Sequence, residues 1–483
     1  MVEPKNYLIN IQKLLLIVGA GVILGCFIIF ITAAPPRWLI TVSLVAGLVL
    51  LWPLYGQLTG DPWKLIWILL ILSIPLDLNV HLIYREYIGS FNGVILSLTD
   101  VAILFLTVVW GYELLTDKSK QIHFYSFVTI PAFGYLSAQI ISIVNTPDIS
   151  LSMFSVIQNL KVFIFYFIIA NRLDDKEKFY TVWKLLMFSL VLESVICILQ
   201  FITKTNYTSS FQTVKNSGEV FFRITGTTGS PNVTASYLAS LLPIPLVAFF
   251  SQERRYSLWL PFSAFTLGLI ALFLTQTRGA WVSFGAGMFF FLLLSGRRRG
   301  AWKFAFGSIV VIGIFVILFK DVIVERFSQG TDTLVYRMHL IRSAFQMIQT
   351  HPFFGVGTNA YALVMKDYVP FFLTQERWIV HNRYLLVWAE TGIIGIVFFL
   401  LFLGTTFRSL WFSTKSDDNF VSMFAWGTFI GLLIFSMQMM VESLDGRISD
   451  AHVWLIAGLA VGMKQWVLEH NVGGKESAVG EIK

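Results

Sequence analysis

Charge is scarce in this sequence. Asp, Glu, Lys and Arg make up 13% of its 483 residues, against about a quarter in soluble domains. Hydrophobic residues make up 56%, and mean hydropathy is +0.72. Folded in water, such a chain could not cover its apolar surface, so a soluble enzyme is excluded. Cysteine is scarce as well. Cys26 and Cys197 both fall inside apolar runs, where they read as small apolar residues and carry no information on redox compartment. The short alternating segments of a membrane β-barrel are missing. So are zinc-ligand spacings, Asp-x-Asp, Glu-x-x-His, internal repeats and low-complexity tracts, so the motifs offer no support for a metal site. The net charge of +7 is spread over short loops, not gathered into a patch, and gives no case for nucleic acid.

What is present is a series of apolar runs of helical length, about 17–25 residues each. The sequence predicts an all-α polytopic membrane protein with about 12–14 transmembrane helices and one long external segment containing amphipathic helices. Candidate spans lie near 14–33, 38–56, 63–79, 94–115, 122–144, 151–170, 181–202, 233–250, 257–275, 279–295, 302–320, 384–407, 420–440 and 451–468. The first follows Lys5 and Lys13 as a signal peptide would, but its length and the "PPRW" after it make it a retained span. Five regions follow: an N-terminal bundle (1–202), helices carrying two arginine turns (203–320), an external segment (321–382), C-terminal helices (383–468) and a tail (469–483). Lys118, Lys120, Arg172, Lys176, Lys178, Arg254, Arg255, the run "GRRRGAWK" and Lys415 fall on one side of the predicted spans. By the positive-inside rule that side is the cytoplasm, and both termini lie there.

Three segments then fall outside. The first ends "RITGTTGSPNVTASY": Arg223 precedes a Gly-Thr turn and a helix that Ser230 or Asn232 can cap. Such a turn can offer backbone N–H groups to an anion, or can simply be a capped helix start. The second is the tight turn "TQTRG". Arg278 there carries a permanent charge and a planar fork of donors suited to phosphate, or it snorkels to anchor the turn. The third, 321–382, contains "TLVYRMHLIRSAFQMIQTHPFFGVG". Leu334, Met338, Ile341, Phe345 and Ile348 mark one face of an amphipathic helix along the outer surface. It ends in His381, Asn382 and Arg383, at the mouth of an apolar helix. An imidazole titrates near neutrality and can accept a proton there. His381 and Glu390 point to opposite faces of that helix, so Glu390 is expected to brace Arg383 or a neighbouring helix. Within the membrane, Lys161 and Glu193 sit at similar depth on consecutive helices, roughly 15–20 Å from their connecting loop. They are expected to pair, as a structural ion pair or as part of an ion route.

The segments "RITGTTGSPNVTASYLASLLPIP", "TQTRGAWVSF", "HPFFGVGTNAY" and "HNRYLLVWAETGIIG", in that order, resemble the signature segments of the O-antigen ligase and polymerase superfamily, which shares the Wzy C-terminal domain. The resemblance is strongest over about 220–400. It implies a metal-independent, GT-C-like glycosyltransferase of a bacterial cytoplasmic membrane, needing no cofactor. Such enzymes take a glycan from an undecaprenyl-diphosphate donor at the outer face. They pass it to a hydroxyl of a glycan or lipid-linked acceptor. By the matching motifs, Arg223 and Arg278 would hold the diphosphate and His381 would deprotonate or orient the acceptor. Arg337, Arg342, Asn232 and Arg383 are candidate substrate contacts, with Glu390, Lys161 and Glu193 in supporting roles. A transporter, a label used within the same superfamily, is the alternative. It would need two related halves and a midplane site, and Lys161–Glu193 is the only midplane feature.

Overall fold

The structure is a computed structural model that describes residues 63–86, 89–118, 121–205, 212–214, 220–249, 257–295, 331–369 and 378–480. The expected spans 14–33, 38–56 and 302–320 lie outside the described residues.

The described chain is almost entirely helical. In order come α1 (Trp63–Ser73), α2 (Leu98–Thr116), α3 (Ser126–Ser142), α4 (Ile149–Arg172) and α5 (Lys176–Thr203). There follow α6 (Pro231–Leu241), α7 (Pro243–Ala248), α8 (Trp259–Leu274), α9 (Arg278–Ser295) and α10 (Thr331–Thr350). The last four are α11 (Tyr361–Val364), α12 (Arg383–Ser413), α13 (Asn419–Gln438) and α14 (Arg447–Gly480). Eight of the described helical segments are long and apolar enough to cross a membrane, α6 and α7 counting together as one; α1, α8 and α9 are apolar but shorter. The chain is a polytopic membrane protein. Asp148, Asp175 and Asp418 accept from the first free amides of α4, α5 and α13, which is why those helices begin where they do.

Aromatic and aliphatic side chains fill one continuous core that includes Tyr166, Trp183, Phe402 and Trp454. Helix α12 packs chiefly on α3, α14 on α4, α8 on α5, and α13 on α6, α7 and α9.

Three sequence expectations change. The run 94–115 is not all helix. Gly93–Ser97 is a strand, β2, paired antiparallel with β1 (Asn79–Tyr84). Helix α2 starts only after Ser97, whose hydroxyl and the Asp100 carboxylate form a reciprocal capping box. The run 233–250 breaks between α6 and α7, where Pro243 lacks the amide needed to continue the ladder. Helix α10 buries Leu340, Ala344, Met347 and Ile348 in a second, smaller core with Val356, Tyr361, Met365, Val380 and Leu386. Of the predicted stripe, Met338 and Phe345 are exposed instead, Ile341 packs only at the edge of this core, and Ile348 is fully part of it.

Helix α12 is spliced. At Gly392 the backbone turns to φ 66°, ψ −166°, a region essentially closed to residues with a Cβ. A neighbouring segment completes the broken ladder. Val356 and Gly357 N–H donate to the carbonyls of Ala389 and Glu390 at 2.9 and 3.0 Å, and Ile393 N–H donates to Pro352 O at 2.8 Å. The Glu390 carboxylate accepts from Asn359 N and Tyr361 N at 2.9 and 3.1 Å. So the "HPFFGVGTNAY" segment is built into the helix, and Glu390 braces that segment, with Arg383 only an electrostatic neighbour.

Candidate active site

Between α13 and α14 the chain makes a short turn, and four successive residues of it are grasped by groups far away in sequence. Arg383 N–H donates to Met439 O at 2.8 Å. Asn382 Nδ2 donates to Met440 O at 2.9 Å. Arg337, reaching down from α10, donates to Val441 O at 3.2 Å. His381 Nδ1 meets Glu442 Oε1 at 2.8 Å. Asn382 also caps α12, accepting from Leu385 N, so the His381 backbone is fixed on both sides.

Glu442 is half-buried and, besides the adjacent Ser443 N–H, has two partners. Its other oxygen accepts from Asn232 Nδ2 at 2.7 Å. The Asn232 carbonyl oxygen in turn accepts from Arg223 at 3.3 Å. Arg223 also donates to Thr277 Oγ1 at 2.9 Å and to Thr275 O at 3.2 Å. A continuous hydrogen-bonded chain therefore runs Arg223–Asn232–Glu442–His381. Arg278, which opens α9, follows Thr277 directly. A Cβ on Gly279 would come within 3.0 Å of the Val441 side chain, so the arginine turn packs against the turn that holds Glu442.

The electrostatics follow from these contacts. Burial works against a charged Glu442. The His381 bond and charge, the Arg337 charge and the Ser443 N–H outweigh it, and its pKa ends below the ordinary 4.5. Glu442 is then a carboxylate, which can only accept. His381 Nδ1 must carry the proton, and Nε2 keeps its lone pair in the neutral ring. This is the tautomer a general base needs. Arg278 is placed unusually, a cation at the positive end of a helix dipole, where a basic side chain normally loses about 0.3–1 kcal/mol. Arginine and helix terminus together favour an anion.

The structure thus brings together Arg223, Asn232, Arg278, Arg337 and His381 among the residues singled out from sequence. Arg342 is exposed on α10 and makes no bond to this cluster. Arg383 is buried beneath it, paired with Asp445 and, at 3.1 Å, with Asp450, which makes it a pillar of the α12–α14 contact. The Gly-Thr turn does not hold its amides open. Gln200 accepts from Thr225 N and Gly226 N at 3.1 and 2.8 Å, and Glu193 accepts from Thr227 N and Thr227 Oγ1 at 2.8 and 2.6 Å. Ser230 makes no side-chain cap, and Asn232 spends its amide on Arg223 and Glu442.

Lys161 and Glu193 do not pair. Lys161 Nζ binds Asp100 at 3.0 Å and Ile95 O at 2.9 Å, tying α4 to β2 and α2. Equal depth placed them on one level, but their helix faces look at different neighbours. Sequence reasoning missed Glu442 altogether. Its signal was a carboxylate just past a span, on the side where His381 stands.

No curated protein matches the chain. The O-antigen ligase family model matches residues 262–400, a stretch that includes Arg278, Arg337, His381 and Glu390 and leaves Arg223, Asn232 and Glu442 outside. Over that part, the chain carries an O-antigen ligase (Wzy C-terminal) domain, set in a multi-pass membrane protein.

Proposed function

We propose that the protein transfers a glycan from an undecaprenyl-diphosphate donor to an acceptor hydroxyl, at the outer face of a bacterial cytoplasmic membrane, in surface polysaccharide synthesis. The observation that carries this reading is the hydrogen-bonded chain from Arg223 to His381, with Arg278 beside it.

The acceptor O–H gives its proton to His381 Nε2 while its oxygen forms a bond to the anomeric carbon. The bond from that carbon to the donor phosphate breaks, and its electron pair leaves on the diphosphate. Negative charge grows there, and Arg278 and Arg223 stabilise it from fixed positions. Direct displacement inverts the anomeric centre. Glu442 holds the imidazole in one tautomer and orientation and stabilises the imidazolium that forms. The polyprenyl tail stays in lipid while the diphosphate sits at the interface, which is why helix ends supply the machinery.

A transporter is not favoured. Its only midplane feature was the Lys161–Glu193 pair, and both residues are held in separate structural contacts.

The test is transfer from a lipid-diphosphate glycan in membranes carrying H381A or R278A. Loss of about 10²- to 10⁴-fold is expected for the base, with the protein still folded. Unchanged transfer in folded H381A sinks the proposal.

A further inference from the structure

At the opposite end of the bundle is a second cationic site. Past the break at Gly392, α12 runs about 24 Å to Arg408 at 1.5 Å per residue, away from the end that carries His381. A cavity of about 200 Å³ opens there, lined by Tyr125, Ser126, Phe127, Ser409, Lys464 and Gln465. The Lys464 ammonium stands 4.3 Å from the centre of the Phe127 ring and the Arg408 guanidinium 5.0 Å from it. Two cations thus share one ring, and among the described residues neither forms a salt bridge. Among the described residues no salt bridge offsets their mutual repulsion. The Ser126 hydroxyl and the Gln465 amide also make no hydrogen bond with any described residue. Helix α3 starts at the cavity with no side-chain cap, so its positive end faces the same way. The acids Glu469 and Asp174 act on Tyr125, whose hydroxyl burial chiefly pushes up to about 12. Asp174 is paired with Lys178.

We propose that this cavity binds the phosphate of an anionic phospholipid in the leaflet opposite the His381 site. Arg408 and Lys464 bind the phosphate oxygens, and Ser126, Tyr125 and Gln465 donate to the headgroup. The volume is below the about 300–1,000 Å³ of pockets that hold whole small molecules. It admits a headgroup and leaves the acyl chains outside, along the exposed faces of Phe124 and Ile122. A soluble phosphate metabolite would share the phosphate chemistry but have no use for that apolar margin.

The test is native mass spectrometry of the full chain released from nanodiscs of equal phosphatidylglycerol and phosphatidylcholine. Wild type should retain phosphatidylglycerol preferentially. R408Q/K464Q should lose that preference by about 30-fold, and R408Q alone by about 5-fold, at the usual worth of a basic residue near an anionic leaflet. R408Q alters an exposed side chain and guards against a folding artefact, and K464R should keep the preference. Equal retention of both lipids by wild type, or an unchanged preference in the double variant, overturns the proposal. So does thermal stabilisation by inorganic phosphate as large as that by phosphatidylglycerol, which would mark a site for free anions.

Discussion

Glu442 accepts the His381 Nδ1–H at 2.8 Å, across 61 residues of sequence, and so decides which nitrogen of the ring is left to receive a proton. Its second oxygen is taken by Asn232, which is taken by Arg223. Every link has one donor and one acceptor, and this makes the chain sensitive to an isosteric change.

Glu442→Gln keeps the shape and breaks the pairing. If its oxygen faces His381, its amide meets the Asn232 amide, and rotating Asn232 turns that amide toward Arg223. Either a joint then sets donor against donor, or the glutamine amide faces His381, which accepts at Nδ1 and carries its proton on Nε2, the tautomer that cannot act as base. Turnover should fall about 10²- to 10⁴-fold, as when an orienting carboxylate is lost beside a catalytic imidazole, with little change in KM. Asn232→Asp in the same protein supplies an acceptor to both neighbours. The double variant should recover part of the loss, a coupling readable in a double-mutant cycle.

Acid should remove the stabilising part of this link. The folded pKa of Glu442 lies below its ordinary 4.5. Its contribution is therefore fully present above that value, and is lost as pH falls through the lower, folded value. Thermal midpoints of wild type and E442Q, compared from neutral pH downward, should stay apart above about pH 5. They should converge as pH falls below 4.5. A gap that persists undiminished well below that value contradicts the assignment.

Arg278 and Arg383 should behave oppositely. Arg278→Ala removes a cation at a helix mouth and should cost turnover with a smaller loss of melting point than Arg383→Ala. Arg383→Ala strands Asp445 and Asp450 in a buried site. Breaking a buried pair costs about 3–5 kcal/mol, so poor folding should precede any kinetic effect. Yield and thermal midpoint in detergent, measured beside transfer rate, separate the two.

Gly392→Ala tests the splice in α12. The added Cβ would overlap Phe353 O, and the required backbone angles are strained for alanine. A loss of about 1–3 kcal/mol is expected from the backbone alone, seen as a lower thermal midpoint. A neutral effect would mean that the break at Gly392 is not needed.

The helical membrane architecture was legible because long apolar runs have few alternatives. His381, Arg223 and Arg278 stood out as lone ionic groups at the ends of such runs. The short strands β1 and β2 hid inside apolar stretches, although "SLTD" at 97–100 carries the capping-box spacing. Lys161 and Glu193 were mispaired because depth along a helix says nothing about which way a side chain faces. Glu442 was overlooked because it shares a short turn with Asp445 and Asp450, and nothing local tells a partner of imidazole from a partner of Arg383.

The splice in α12 also decides how this protein can be cut and recombined. Just before the break, Ala389 and Glu390 are bonded to the cap formed by 352–361 as well as to their own helix. The imidazole is held by the α13–α14 turn through Glu442, while the membrane half of α12 is joined to the cap-bound first turns of the helix at one glycine. A chimera that exchanges caps between related chains should place its junction after Gly392. A junction at the start of the helix would carry away the cap with His381 and leave behind Glu390, which holds that cap through Asn359 and Tyr361.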